Sequence, residues 1–110
     1  MLATLAVGSL LFVSLAAAKT SAKPKFTAAQ LAAGKKIFKS NCGSCHTLKQ
    51  AATHGTTGPN LNSIHPTLGA IVTQVTSGGR FMPPFGASAG GALSTTQVKN
   101  VAAFVYTSDH

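Results

Sequence analysis

Five consecutive residues, Cys42, Gly43, Ser44, Cys45 and His46, constrain this chain of 110 residues more than any other feature in it. Two thiols separated by two residues and followed at once by an imidazole have the spacing of a covalent c-type haem attachment site. Each thiol can add to one vinyl group of a porphyrin. The next residue is then carried beneath the ring, where one of its nitrogens can reach the iron. Cys42 and Cys45 are read as tethers and His46 as an axial ligand. A zinc site needs four ligands, and the remaining candidates, His54 and His65, are too far apart for the close second pair of a finger. A dithiol of the thioredoxin kind belongs to a parallel βαβ setting, which nothing here supplies.

A haem also resolves a problem of size. Once a targeting segment is removed, the chain leaves one small domain whose own apolar core is marginal, because short chains bury too little surface. A bound porphyrin serves as an apolar centre around which short helices pack, so a poorly folded form is expected without it. Both cysteines are used by the motif, so no disulfide is expected, and the attachment chemistry belongs outside the cytoplasm.

The start of the chain agrees with export. Residues 1–18 carry no charge, place Leu10, Leu11, Phe12, Val13 and Leu15 in one apolar stretch, and end in Ala16, Ala17 and Ala18. This reads as a secretory signal cut near Ala18. No Lys or Arg precedes the stretch, which is also near the lower length limit for spanning a bilayer, so a retained membrane anchor is the alternative. Residues 19–26, with Lys19, Lys23, Pro24 and Lys25, form a basic leader, and 27–110 form the domain.

The charge is one-sided: nine Lys and Arg against a single acid, Asp109. Such a field steers the protein towards acidic partners in a salt-dependent way. Nucleic acid is the competing reading of a basic chain, but an exported haem protein seldom meets it and one Tyr with no Trp makes a poor stacking surface, so acidic protein or membrane surfaces are expected and nucleic acid is not.

Three helices are expected. Thr27 and Gln30 have the spacing of a capping box, and Leu31, Ile37 and Phe38 recur at helical spacing to about Ser40. Gly34 costs that helix about 1 kcal/mol relative to Ala, a cost explained by the close crossing of another helix. Ser94 and Gln97 repeat the capping box before Val98, Val101, Ala102 and Val105, on a closing helix that ends near Thr107. Phe38 and Phe104 are expected in the core beside the crossing. Pro66 in a first turn, then Leu68, Ile71, Val72 and Val75, predict a third helix over about 67–77, stopped by Gly78 and Gly79. The stretches 48–62 and 78–91 are rich in Gly and Pro and read as functional loops, with no strand pattern.

The second axial ligand decides what the iron does. Apart from Met1, the only methionine is Met82, set in a Gly- and Pro-rich loop beside Pro83 and Pro84 rather than on an apolar helix face. His paired with Met is an established axial set. His54 and His65 are the rival ligands.

At this point the chain resembles the class I c-type cytochromes, specifically the small, exported, single-haem kind. The resemblance runs from about Thr27 to Thr107 and rests on Cys42, Cys45 and His46, on Gly58, Pro59, Asn60 and Leu61, and on Phe81, Met82, Pro83, Pro84 and Phe85. It implies an all-α cytochrome c fold, three main helices and loops wrapped around one covalent haem c. It implies too that the carbonyl of Pro59 accepts a hydrogen bond from the non-ligating nitrogen of His46, and that the helix of Gly34 and Phe38 packs near Val101 and Phe104. The near absence of acids is a departure that bears on the partner.

The expected function is non-enzymatic: outer-sphere transfer of single electrons between respiratory or photosynthetic partners in the periplasm or another extracytoplasmic space. A quinol-oxidising complex as donor, and a terminal oxidase or periplasmic reductase as acceptor, are the partners of that reading. The exit point is expected near Met82 and Pro83, with Arg80 as a docking charge. Two alternatives remain: a membrane-tethered subunit of a larger redox complex, and a haem peroxidase or gas sensor in which Met82 leaves the iron.

Overall fold

The computed structural model of the chain describes residues 8–9 and 23–110. The proposed signal segment, 1–18, lies outside the described residues except for 8–9, and of the basic leader only 23–26 fall within them. Those four have no regular structure. Three α-helices carry the fold: α1 (Ala28–Asn41), α2 (Leu68–Ser77) and α3 (Thr95–Asp109). Among the described residues no helix is long and apolar enough to cross a membrane.

Each helix starts where its side chains can satisfy the first free N–H groups. At α1 the Thr27 hydroxyl accepts from the Gln30 N–H at 3.1 Å, while the Thr27 N–H donates to the Gln30 side chain at 2.8 Å. Ser94 and Gln97 make the same reciprocal pair at α3, at 3.1 and 2.9 Å. Each such cap is worth about 1 kcal/mol. At α2 the Thr67 hydroxyl caps the Ala70 N–H at 3.1 Å. Thr67 is therefore the cap and Pro66 stands before it, one step outside the first turn where the sequence reading put it. Proline's fixed φ there delivers an extended chain to the cap. α3 runs two residues past the expected Thr107, to Asp109.

The core forms where α1 crosses α3. A Cβ on Gly34 would overlap the carbonyl oxygen of Asn100 and lie 2.8 Å from Cβ of Phe104, so the crossing requires glycine. The Phe38 and Phe104 rings meet beside it with centroids 5.9 Å apart and planes tilted by 59°. Phe38, Leu48 and Val101 are the largest fully buried side chains. Burial of each contributes about 2–3 kcal/mol before the entropic cost is subtracted. α2 brings Ile71 and Val75 to the same core.

The loop after α1 is more ordered than the sequence indicates. Two short strands, β1 (Thr47–Leu48) and β2 (Thr53–His54), pair antiparallel with Thr47 opposite His54 around a 3₁₀ turn at Lys49–Ala51. Strands of two residues cannot show an alternating pattern, which is why none was legible. The Thr53 hydroxyl fixes the register, donating to the carbonyl of His46 at 2.9 Å and accepting from the N–H of Leu48 at 3.2 Å.

Replacing Gly34 by Ala would force the backbones of α1 and α3 apart. We expect a loss of about 2–3 kcal/mol, within the usual cost of overpacking. For a domain of this size that lowers the melting temperature by about 10–20 °C. Thermal denaturation of the holoprotein followed at the Soret band measures it, and an unchanged midpoint would refute the crossing.

Candidate functional site

The attachment motif is wound from the end of α1. Cys42 caps the helix, its N–H donating to the carbonyl of Phe38 at 2.8 Å, and the N–H groups of Cys45 and His46 both donate to the carbonyl of Cys42, at 3.1 and 3.0 Å. One tight turn therefore carries both thiols and the imidazole. Cys42 is buried and Cys45 half-buried, and both are free thiols. Burial pushes the Cys42 thiol up to about 11, with the neighbouring Cys45 adding to the rise. A redox dithiol or a metal thiolate needs the opposite, a cysteine whose charge the surroundings favour.

His46 is held by the segment that follows β2. Its Nδ1–H donates to the carbonyl oxygen of Pro59 at 2.8 Å. The chain arrives there because the Gly58 N–H donates to the carbonyl of Cys45 at 2.7 Å and the Thr47 hydroxyl to that of Gly55 at 2.8 Å. Both glycines are needed. A Cβ on Gly58 would lie 2.6–3.1 Å from three atoms of the imidazole, and one on Gly55 would lie 2.6 Å from the backbone of Ser44 and Cys45. With Nδ1 protonated and pointed at a carbonyl, Nε2 is left with its lone pair, the state in which an imidazole binds a metal.

Met82 lies on a separate segment docked on the end of α2. Gly78 ends that helix at φ +65°, and a Cβ on it would lie 2.5 Å from the carbonyl oxygen of Met82. The N–H groups of Phe85 and Gly86 donate back to the carbonyls of Val75 and Thr76, at 2.9 and 3.2 Å. The Met82 thioether is half-buried, and the side-chain amide of Gln74 donates towards its sulfur at 3.7 Å.

His54 is exposed on β2, and the Nδ1–H of His65 donates to the carbonyl of Asp109 at the end of α3. Leu61 and Phe85, on the segments that bear Pro59 and Met82, and Val72 on α2 are apolar side chains only partly covered by the core, which a planar apolar group could cover further. The residues present thus fit a haem.

Sequence reasoning overlooked two contributors. Gly58 is read from the sequence as part of the Gly58–Leu61 segment that carries the resemblance, not as the floor under the imidazole. Gln74 gave a weak signal, an exposed amide on the α2 face otherwise marked by Ile71 and Val75.

Comparison with known proteins agrees with this geometry. The profile of the family described as cytochrome c oxidase, cbb3-type, subunit III, matches residues 29–105. Cytochrome c6 of Leptolyngbya boryana is 37% identical over 81 residues, covering 70% of this chain and 91% of that protein. Cytochrome c6 of Rippkaea orientalis is 33% identical over 102 residues, 88% of this chain and 87% of the other. Among solved structures, the c-type cytochrome SorU from Sinorhizobium meliloti superposes with a TM-score of 0.65 at 33% identity, covering 73% of this chain and 91% of its own. Cytochrome c6 from the diatom Phaeodactylum tricornutum does so at 0.51 and 32%, covering 72% and 93%. With its three helices, its attachment motif and these relatives, the chain belongs to the class I c-type cytochromes, small electron-transfer proteins carrying one covalent haem c.

Proposed function

We propose that Cys42 and Cys45 bind the haem through thioethers, that His46 and Met82 are its axial ligands, and that Pro59 orients His46. The observation that carries this reading is the 2.8 Å hydrogen bond from His46 to Pro59, with the ring lying on Gly58. It fixes both the tautomer and the plane of the imidazole. Bound haem supplies one-electron exchange between ferric and ferrous iron. The protein's contribution is to hold the two ligands on separate, hydrogen-bonded segments, so that neither must be rebuilt when the charge changes. A thioether favours the reduced ion and raises the potential, as does enclosure by apolar side chains. The Gln74 amide holds the Met82 sulfur in place and draws on its lone pairs.

The redox partners in this reading are acidic proteins met outside the cytoplasm, a quinol-oxidising complex on one side and a terminal oxidase or reductase on the other. Residues 1–18 act as the export signal, and the protein works as a carrier with no substrate bound to iron. The match to an oxidase-subunit profile favours one second reading, in which the N-terminal segment is retained and tethers the domain in a larger complex. Mass spectrometry of the mature N-terminus separates the two: a start after Ala18 supports the free carrier, and an intact apolar segment the tethered subunit.

A redox-titrated absorption spectrum tests attachment, ligation and poise together. The near-infrared band of Met bound to ferric iron should be present, with no change on adding carbon monoxide or peroxide at neutral pH. Met82→Ala should abolish the band and lower the midpoint potential by about 0.1 V or more, within the ~0.8 V over which axial ligands tune haem. An unchanged spectrum would refute Met82 as ligand.

Gly58→Ala should crowd the imidazole and change the low-spin electron paramagnetic resonance of the ferric protein, with a lower yield of haem-bearing chain. Gly69→Ala is the control, because a Cβ at Gly69 meets nothing within 4 Å. Equal behaviour of the two variants would sink the role assigned to Gly58.

A further inference from the structure

The imidazole of His46 is prepared for a metal by having its Nδ1–H committed to an oxygen, and two other imidazoles in the chain are held in the same way. The Nδ1–H of His65, in the segment before α2, donates to the backbone carbonyl of Asp109 in the last turn of α3. The Nδ1–H of His110 is shared between the side chain of Asp109, at 2.7 Å, and the carbonyl of Tyr106, at 3.0 Å. In its neutral form each ring therefore keeps a lone pair on Nε2, the arrangement usual in metal-binding histidines. His65 and Asp109 are 44 positions apart in sequence, yet the rings of His65 and His110 stand with centroids 5.9 Å apart and planes at 84°. The His110 ring is also stacked on Tyr106, with centroids 4.0 Å apart, which holds it in place. Both histidines are exposed.

Charge points the same way. The chain carries nine Lys and Arg against a single acid, and that acid, Asp109, lies here. Its side chain is buried, with one oxygen accepting from His110 and the other, Oδ2, having no hydrogen-bond partner. A buried carboxylate oxygen left in this state is costly unless positive charge stands close by. A cation on Nε2 of His110 supplies that charge through the ring, in the carboxylate–histidine–metal order common among protein metal sites.

We infer that His65 and His110 form a two-histidine site for a divalent transition-metal cation, zinc(II) or copper(II), bound through both Nε2 atoms, with water filling the remaining positions and Asp109 orienting His110. Two rings joined by one zinc ion through bonds of about 2.0–2.1 Å have centroids roughly 5–6 Å apart, and the observed spacing falls in that range. Among the described residues no three His, Cys, Asp or Glu side chains gather as ligands, so the site exchanges its metal with solution, unlike a closed four-ligand structural site. Imidazole ligands favour copper(II) over zinc(II), and either over magnesium or calcium, which take oxygen. The bound cation ties the segment before α2 to the end of α3. The ligand set proposed for the iron leaves His65 available for this role.

The test titrates untagged ferric holoprotein with zinc(II) in a calorimeter, in a buffer that does not bind metal. The wild type should take up one zinc ion per chain, and saturating zinc should raise its melting temperature, because a ligand of the folded state stabilises that state. His65→Ala and His110→Ala should each lose about tenfold or more in affinity. Asp109→Asn should lose about tenfold, the loss typical when a group that orients a metal ligand is removed. His54→Ala, on the exposed side of β2, is the control and should bind as the wild type does. Because His65 and Asp109 also hold the end of α3, a readout on the wild type alone stands beside the variants: copper(II) bound to it should show two coordinated imidazoles by pulsed electron paramagnetic resonance. The inference is overturned if the wild type takes up no stoichiometric zinc, if either histidine variant binds as tightly as the wild type, if His54→Ala loses as much as they do, or if the copper carries fewer than two imidazoles. The near-infrared band of Met-ligated ferric haem should be the same with and without zinc. A change in it would mean that the added metal acts at the ligands of the iron, and would overturn the assignment to His65 and His110.

Discussion

The crossing of α1 over α3 at Gly34 is the contact from which the remaining geometry follows. With no side chain between them, the helices approach until the carbonyl of Asn100 meets the backbone of Gly34, and Phe38 and Phe104 close the seam. That fixes the axis and the end of α1. Cys42 sits at that end as the cap, so the position of the attachment turn is decided by a helix contact two turns earlier. In a chain this small there is little surplus burial to tolerate looseness. The glycine's cost in helix propensity is offset by the packing density it permits.

From that anchor the site is built mainly with backbone hydrogen bonds. Gly58 N–H to the Cys45 carbonyl, Thr47 hydroxyl to the Gly55 carbonyl and His46 to the Pro59 carbonyl return the loop onto the motif. Phe85 and Gly86 do the same for the Met82 segment on α2. Loops that run over a surface normally give their polar groups to water. Here they give them to each other, which is how irregular segments hold side chains with the fidelity of helices. Glycines stand where these segments of backbone touch, and an added methyl at Gly58, Gly55 or Gly78 would press on the imidazole, the backbone of Ser44 and Cys45 or that of Met82 and Pro83.

The helices were legible because their signals are local. A capping box occupies four residues and an apolar stripe two turns, and both survive intact in Thr27–Gln30 and Ser94–Gln97. The attachment motif was legible for the same reason. What could not be read depends on residues distant in sequence. The pairing of Thr47–Leu48 with Thr53–His54 is too short for a pattern, and the seat of Gly58 under His46 is a contact across twelve positions. Gln74 meets Met82 only because the Gly78–Gly79 turn folds the chain back on α2. Pro66 was misplaced by one step because proline before a cap and proline in a first turn leave the same trace in a sequence.

The chemistry of the supporting groups carries a functional consequence. His46 is held by a carbonyl and a glycine, and Met82 by an amide. None of these protein groups gains or loses a proton in the physiological range, in contrast to sites where a carboxylate orients the histidine. With His46 and Met82 as the ligands, taking up an electron would therefore not be coupled to proton movement through these supports. The one acidic side chain in the sequence, Asp109, is buried at the end of α3 with His110. A cationic surface and non-titrating supports for His46 and Met82 thus belong to different parts of a single small domain.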